Sequence, residues 1–154
     1  MDKSVGMPDF KAARNFTNKL WNAARFVILQ LENEVELEQT NKYPQEDAFN
    51  QKLSEIVTQI TSEYSEYKLG LATENLYAYF WHWYCDQCIE DHKKGDISQA
   101  ALLNGLIIFL KLLHPITPFI TEAIWQELRS QEKLAKHPDL KNTPLLIAAS
   151  WPKP

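Results

Sequence analysis

The chain has 154 residues, is 45% hydrophobic and 23% charged, and carries a net charge of −4, which is the size of one domain able to bury a core. No apolar run reaches the 18 or more residues of a membrane span, there is no signal-peptide layout, and two cysteines make no disulfide framework, so a soluble cytoplasmic protein is expected. Net acidity argues against a broad nucleic-acid-binding field, but its placement is uneven: five bases and two acids give +3 over residues 1–31, two bases and nine acids give −7 over 32–66, and nine of each give 0 over 67–154.

Residues 1–9 read as a loop, with Gly6 and Pro8 as breakers and Asp9 as a cap. Phe10 to Leu31 predicts a long first helix. At about 100° per residue, Ala13, Phe16, Thr17, Leu20, Ala24, Val27, Ile28 and Leu31 fall on one side, a stripe for a core. Lys11, Asn15, Asn18, Lys19, Asn22 and Arg25 gather on the other, with Phe26 in their midst and Leu29 beside it. A basic, amide-rich face carrying an aromatic ring is able to stack on a base and bond its edges. The plainer reading is a Phe packed under a loop or a second helix, among asparagines of no function.

An acidic tail, Glu32 to Glu38, ends the helix, and Gln39 to Glu46 form a connection of ordinary length. Glu46 and Asp47 suit the start of a second helix for capping and dipole. Its stripe of Phe49, Leu53, Ile56, Val57, Ile60 and Tyr64 continues to about Tyr67. Gly70 breaks the pattern, and a third helix is expected from about Leu71 to His92, with Thr73, Tyr77, Phe80, Trp81, Tyr84 and Cys88 facing inward. These aromatics read as core rather than as a stacking platform. Trp83, off that face, is expected to meet a neighbouring domain or to pack under a loop.

His82, Cys85, Cys88 and His92 have the residue types of a zinc site. They climb about 15 Å along the helix, whereas each ligand must come within about 2.0–2.3 Å of the ion. One straight helix supplies two such ligands, so no metal site is expected. Cys85-Asp-Gln-Cys88 also sits inside a helix rather than at the N-terminus that a redox motif requires.

Lys93-Lys94-Gly95 marks a helix stop. A fourth helix, starting at Asp96 or Ser98, is apolar almost all round (Ala101, Leu102, Gly105, Leu106, Ile108, Phe109, Leu112, Leu113), as a central helix should be. Gly105 would let another helix approach closely. Pro115 ends it and biases His114 out of the helical region. Thr117 as cap and Pro118 as first residue start a fifth helix to about Ser130, with Ile120, Ile124, Trp125 and Leu128 inward. His114 has no nucleophile or partner acid in view and reads as a capping or core hydrogen-bonding group. Gln131 to Thr143 reads as a loop, and Leu145 to Ala149, between Pro144 and Pro152, as a short extended edge segment.

Two runs carry a resemblance. Asn15-Phe16-x-Asn18-Lys19-Leu20-Trp21-Asn22-Ala23-Ala24-Arg25-Phe26-Val27 looks like the signature that opens the anticodon-binding domain of valyl-tRNA synthetases. Leu112-Leu113-His114-Pro115-x-x-Pro118-Phe119-Ile120-Thr121-Glu122-x-Ile124-Trp125 resembles a run common to the class I synthetases for branched aliphatic amino acids. Ser150-Trp151-Pro152 resembles the family's closing motif, where the segment runs back along the bundle toward the body of the enzyme. The chain departs from the pattern at residues 1–9, and at Phe49-Asn50-Gln51, where valyl enzymes usually have Trp-Ile-Leu.

The resemblance implies an all-α fold, an antiparallel bundle of four to five helices, with residues 1–154 forming a single anticodon-binding domain from a larger synthetase. It implies Lys19, Arg25 and Phe26 as contacts; Asn15, Asn18 and Asn22, on the same polar face of the helix, are expected to add amide bonds. The implied partners are the anticodon loop of valine tRNA and the catalytic and other domains of the parent enzyme. In that family valine is joined to its tRNA, with ATP and magnesium, by a domain built around His-x-Gly-His and Lys-Met-Ser-Lys-Ser motifs. Neither occurs here, nor does a glycine-rich phosphate loop, a nucleophile elbow or a carboxylate pair. This chain is therefore expected to hold no catalytic residue and no cofactor of its own. Two other readings stand beside this one: the same module from an isoleucyl or leucyl enzyme, and a helical protein-interaction module without an RNA role.

Overall fold

The computed structural model describes residues 10–32 and 43–154. The loop and Asp9 cap expected at residues 1–9, the acidic tail beyond Glu32 and the connection through residue 42 lie outside the described residues. The elements are α1 (Lys11–Glu32), α2 (Glu46–Ser65), α3 (Leu69–Ala78), a π-helical stretch (Tyr79–Cys88), α4 (Ile89–Lys93), α5 (Gln99–Leu113), α6 (Pro118–Ser130) and α7 (Pro138–Asn142), with 3-10 turns at Leu134–Lys136 and Leu146–Ala148. Among the described residues there is no strand, and no helix is long and apolar enough to cross a membrane. The all-α bundle is the fold expected.

The bundle is built round α5. Ten of its residues are buried, and it packs against α1, α2, α6 and the π-helical stretch. Ser98 caps it, its hydroxyl accepting from the Ala101 N–H at 3.1 Å. Glu46, in the first turn of α2, reaches across to accept from the Ser98 N–H at 3.0 Å, tying the start of α2 to that of α5. At Gly105 a Cβ would stand 2.8 Å from Phe49 Cζ and 2.9 Å from Tyr84 Cε2. The close approach expected there is that of α2 and the π-helical stretch.

Helix α1 buries Phe16, Leu20, Ala23, Ala24, Val27 and Ile28, close to the expected stripe, and Lys133 donates to its Leu31 carbonyl. Helix α2 buries Phe49, Leu53, Ile56, Val57 and Ile60 as expected. A polar strap ties α2 to α3 and the π-helical stretch: Tyr79 donates to Gln59 Oε1 at 2.6 Å, and Gln59 and Asn75 donate to the buried Glu63 at 2.9 and 2.7 Å.

Several expectations need correction. The break expected at Gly70 falls at Tyr67, which takes φ 59, while Gly70 lies in the first turn of α3. Residues 69–93 form one unbroken helix, but its middle ten residues wind with i→i+5 bonding, and the Ile89 N–H still donates to the Tyr84 carbonyl. The buried face is Ala72, Leu76, Phe80, Tyr84, Cys85 and Cys88, leaving Thr73 exposed, Tyr77 37% exposed and Trp81 half-buried. Trp83, off the core face, stacks on Phe49, centroids 5.4 Å apart.

His114 is helical despite the following proline, with φ −54 and ψ −41. Its N–H donates to the Leu110 carbonyl and its Nδ1 lies 2.8 Å from Thr121 Oγ1, bonds that outweigh the local bias. The loop expected at 131–143 contains α7. Its start is capped by His137, whose Nδ1 accepts from the Asp139 N–H, and it is held down by buried Leu140 and by the Lys111–Asp139 ion pair at 3.1 Å. The edge segment at 145–149 is a 3-10 turn, drawn in by the Leu146 N–H donating to Glu122 Oε2 at 2.9 Å. The closing segment runs back over α2, where the Trp151 indole N–H donates to Thr61 Oγ1 at 2.8 Å.

Candidate nucleic-acid interface

In an up-and-down bundle the first and third helices run the same way, and the contacts between α1 and residues 69–93 follow that order. Phe16 meets Tyr77, centroids 5.1 Å apart. Lys19 pairs with Asp86 at 2.9 Å and stands 5.1 Å from the centre of the Trp81 ring. Phe26 meets the edge of His92, centroids 6.3 Å apart, and Lys93 Nζ lies 5.4 Å from the centre of the Phe26 ring. The two helices thus form a seam lined on both sides by aromatic rings and cations.

On the outer wall of the seam, Asn15, Asn18, Asn22 and Arg25 are exposed. None has a side-chain hydrogen bond or ion pair among the described residues. Four polar groups with unspent hydrogen-bonding capacity therefore point outward from one helix face. Phe26 is half-buried and packs against the core, so it combines the plain reading with the functional one: one part of the ring is packed and the rest is accessible. Lys19 is also half-buried, and its ammonium is engaged rather than free.

The third helical run contributes what the pattern on α1 could not show. Tyr77 and Trp81 stack on each other at 5.4 Å, partly exposed beside Lys19. Asp86 brings a carboxylate into the seam, and His82 Nδ1 lies 3.5 Å from its second oxygen. The hydrogen bond from Lys19, and then His82, hold the Asp86 carboxyl below its ordinary range. Lys93 pairs with Glu90 while it lies over Phe26. Trp81 was placed in the core by its spacing, and Asp86 has no sequence signal beyond its place between two cysteines.

The zinc-like quartet is dispersed. His82 is exposed, His92 Nδ1 lies 2.9 Å from the Ile97 carbonyl, and Cys85 and Cys88 are buried free thiols. Burial pushes both thiols up to about 12, the reverse of the shift that activates a nucleophilic cysteine.

The sequence profile of the anticodon-binding domain of tRNA ligase matches residues 46–154. The chain belongs to this family. Among its relatives, the valine–tRNA ligase of Clostridium tetani is 34% identical over 150 residues, covering 85% of this chain and 17% of that protein. That of Dehalococcoides mccartyi is 37% identical over 135 residues, covering 83% of this chain and 15% of that protein. That of Laribacter hongkongensis is 34% identical over 161 residues, covering 94% of this chain and 16% of that protein. The chain thus spans about a sixth of the length of these relatives. The profile begins at α2, but a match over 94% of the chain necessarily takes in most of α1 and the wall it gives the seam.

Proposed function

We propose that this domain holds the anticodon loop of a valine tRNA and acts as part of a longer valine–tRNA ligase. The observation that carries the reading is the outer face of α1: Asn15, Asn18, Asn22 and Arg25, exposed and unengaged among the described residues, beside the half-buried ring of Phe26. Membership of the anticodon-binding family supports RNA as the ligand. The name valine–tRNA ligase, carried by relatives at 34–37% identity, supports valine over isoleucine or leucine.

The roles follow from position. Phe26 stacks on an unstacked anticodon base, an interaction worth about 1–3 kcal/mol. Asn18 and Asn22, with Asn15 a turn away, bond base edges, since an amide both donates and accepts. Arg25 stands outside the seam and meets phosphate. Lys19, inside it and beside a carboxylate, meets a base edge. A domain holding a few nucleotides needs no wide basic field, which fits the net charge of −4. Most of the salt-dependent phosphate contact then belongs to the rest of the ligase.

The adenylation of valine with ATP and magnesium, and its transfer to tRNA, belong in this reading to the catalytic part of the longer protein. Contact with that part is supported by the apolar end of the bundle, where Phe119 is 91% and Ile147 77% exposed. The same patch is what favours the second reading, a protein-interaction module without an RNA role.

Titration of a labelled valine anticodon stem-loop into the wild type and Phe26→Leu tests the proposal. Leu retains the packing of the half-buried ring and removes the stacking face. Affinity should fall about tenfold or more with the melting temperature nearly unchanged. Equal affinities would remove Phe26 from the site, and absence of anticodon-dependent binding by the wild type would favour the interaction module.

A further inference from the structure

At the end of the bundle opposite Phe26 lies a cavity of about 370 Å³, within the size range of small-ligand sites, which begins at about 300 Å³. Helix α5 leads there. It starts beside the head of α2, where Ser98 meets Glu46, and ends where Tyr64, at the foot of α2, donates to the Leu112 carbonyl at 3.1 Å. Phe26 sits at the other end, against His92. The cavity walls are Lys111 and His114 at the end of α5, Pro118 of α6, Ile147 of the 3-10 turn, and Ser150 and Trp151 of the closing segment. The Leu146 N–H on Glu122 and the Trp151 indole N–H on Thr61 hold the last two walls in place.

Polar groups on this lining have capacity to spare. The Lys111 side chain is 9% exposed. Its ammonium carries several N–H donors, and Asp139 Oδ1, at 3.1 Å, is its one acceptor among the described residues. His114 Nδ1 lies 2.8 Å from Thr121 Oγ1, and the single proton of that hydroxyl goes to the Thr117 carbonyl at 2.8 Å or the Pro118 carbonyl at 3.2 Å. The hydroxyl oxygen therefore accepts from His114, so Nδ1 carries the proton and Nε2 of the neutral ring keeps a lone pair. Ser150 is exposed, and its hydroxyl has no partner among the described residues. Trp151, its N–H already given to Thr61, brings only a ring.

This set of groups selects a ligand. A buried ammonium with donors to spare takes an anionic oxygen, because a charge-assisted bond is about twice as strong as a neutral one. One cation already shared with Asp139 suits a single negative charge. A second would meet the Asp139 carboxylate or the His114 lone pair. Phosphate is best held by a planar fork of donors, which this lining lacks. A ligand amine meets Lys111 as a like charge. The rest of the wall, Pro118, Ile147 and the indole, is hydrocarbon and gains by covering hydrocarbon.

We infer that this cavity binds the carboxylate of an apolar acid, with the carboxylate on Lys111 and the hydrocarbon between Ile147 and the Trp151 ring. A free short-chain acid and an acidic side chain flanked by apolar residues offer the same chemistry. The site is independent of the RNA reading above: its lining shares no residue with the seam between α1 and the third helical run, so its occupation leaves that face open.

Isovalerate, isovaleramide and isoamylamine share one branched skeleton and differ only in head group. Each is titrated into the isotope-labelled chain, with backbone amide NMR shifts as the readout. Isovalerate should shift the amides of residues 111–118 and 146–151 and bind about tenfold or more tighter than its amide, and the amine should leave them in place. Lys111→Met keeps the stem, removes the ammonium and should abolish the preference for the acid, its fold being checked by circular dichroism. Ile147→Ser, at a side chain 77% exposed, should weaken isovalerate severalfold with the melting temperature unchanged, which keeps the inference testable if Lys111→Met unfolds. A blocked leucyl-glutamyl-leucine tripeptide separates the two sources: tighter binding than isovalerate assigns the site to an acidic side chain, weaker binding to a free acid. Equal binding of acid and amide, an unchanged preference in Lys111→Met, or shifts confined to other parts of the chain overturn the inference. So does the absence of a saturable shift with both isovalerate and the tripeptide.

Discussion

Tyr67 and Gly95 occupy the same place in two copies of one helix-ending motif. Tyr67 follows α2 with φ 59 and Gly95 follows α4 with φ 84. In both, the next N–H reaches back five residues, from Lys68 to Glu63 and from Asp96 to Asp91, at 2.9 Å each. The left-handed residue belongs to this motif. Glycine adopts it without a Cβ penalty, whereas a bulky side chain is strained there.

Because the Tyr67 side chain is exposed, little packing is lost on its removal. Tyr67→Gly should raise stability by about 1 kcal/mol, the lower end of the cost of such a backbone conformation. Urea unfolding monitored by circular dichroism gives the value, and a decrease would show that the ring contributes more than the strain costs.

Burial makes the thiols report on the core. Cys85 and Cys88 rise from about 9 to about 12, and the Tyr64 hydroxyl from about 10 to about 12 for the same reason. The folded-state values lie above the unfolded ones, so the stability these groups contribute is complete below pH about 9 and is lost as pH rises toward 12. The urea midpoint should therefore hold steady from pH 7 to about 8.5 and fall from about pH 9 upward. A thiol-specific reagent at pH 8 should label both cysteines only after unfolding. Rapid labelling of the native protein would show that the π-helical stretch opens.

Arg25 gives the cleanest surface test, since it is exposed and has no partner among the described residues. Arg25→Ala should leave stability within about 0.5 kcal/mol of the wild type. Its effect belongs in the salt dependence of stem-loop binding, where loss of one phosphate contact to a single strand lowers the slope of log affinity against log salt by about 0.7. An unchanged slope with weaker binding would move Arg25 from phosphate to a base.

Much of this was legible in the sequence. The inward stripes of α1 and α2, the all-round apolar α5 and the close approach at Gly105 all follow from helical spacing and residue size. The break at Tyr67 was not legible, because a tyrosine carries no signal for a left-handed turn and Gly70 carries a misleading one. The inward face of the third helical run was hidden for a related reason: spacing put Thr73 and Tyr77 inward, whereas Ala72 and Leu76 are buried, Trp81 lies beside Lys19 and Trp83 stacks on Phe49. Helix α7 depends on Lys111 and on the burial of Leu134 and Leu140, contacts distant in the chain. The candidate site divides the same way. One wall, with Asn15, Asn18, Asn22, Arg25 and Phe26, could be drawn on a single helix. The other, with Trp81, Asp86, His92 and Lys93, needed the third helical run laid beside the first.

The anticodon reading is tested most directly by competition among valine, isoleucine and leucine anticodon stem-loops for this chain at one fixed salt concentration. The account predicts that the valine loop binds tightest and displaces the other two, about tenfold or more below their concentrations. Three loops that compete equally, or an isoleucine or leucine loop that displaces a bound valine loop as readily as valine's own does, would contradict it.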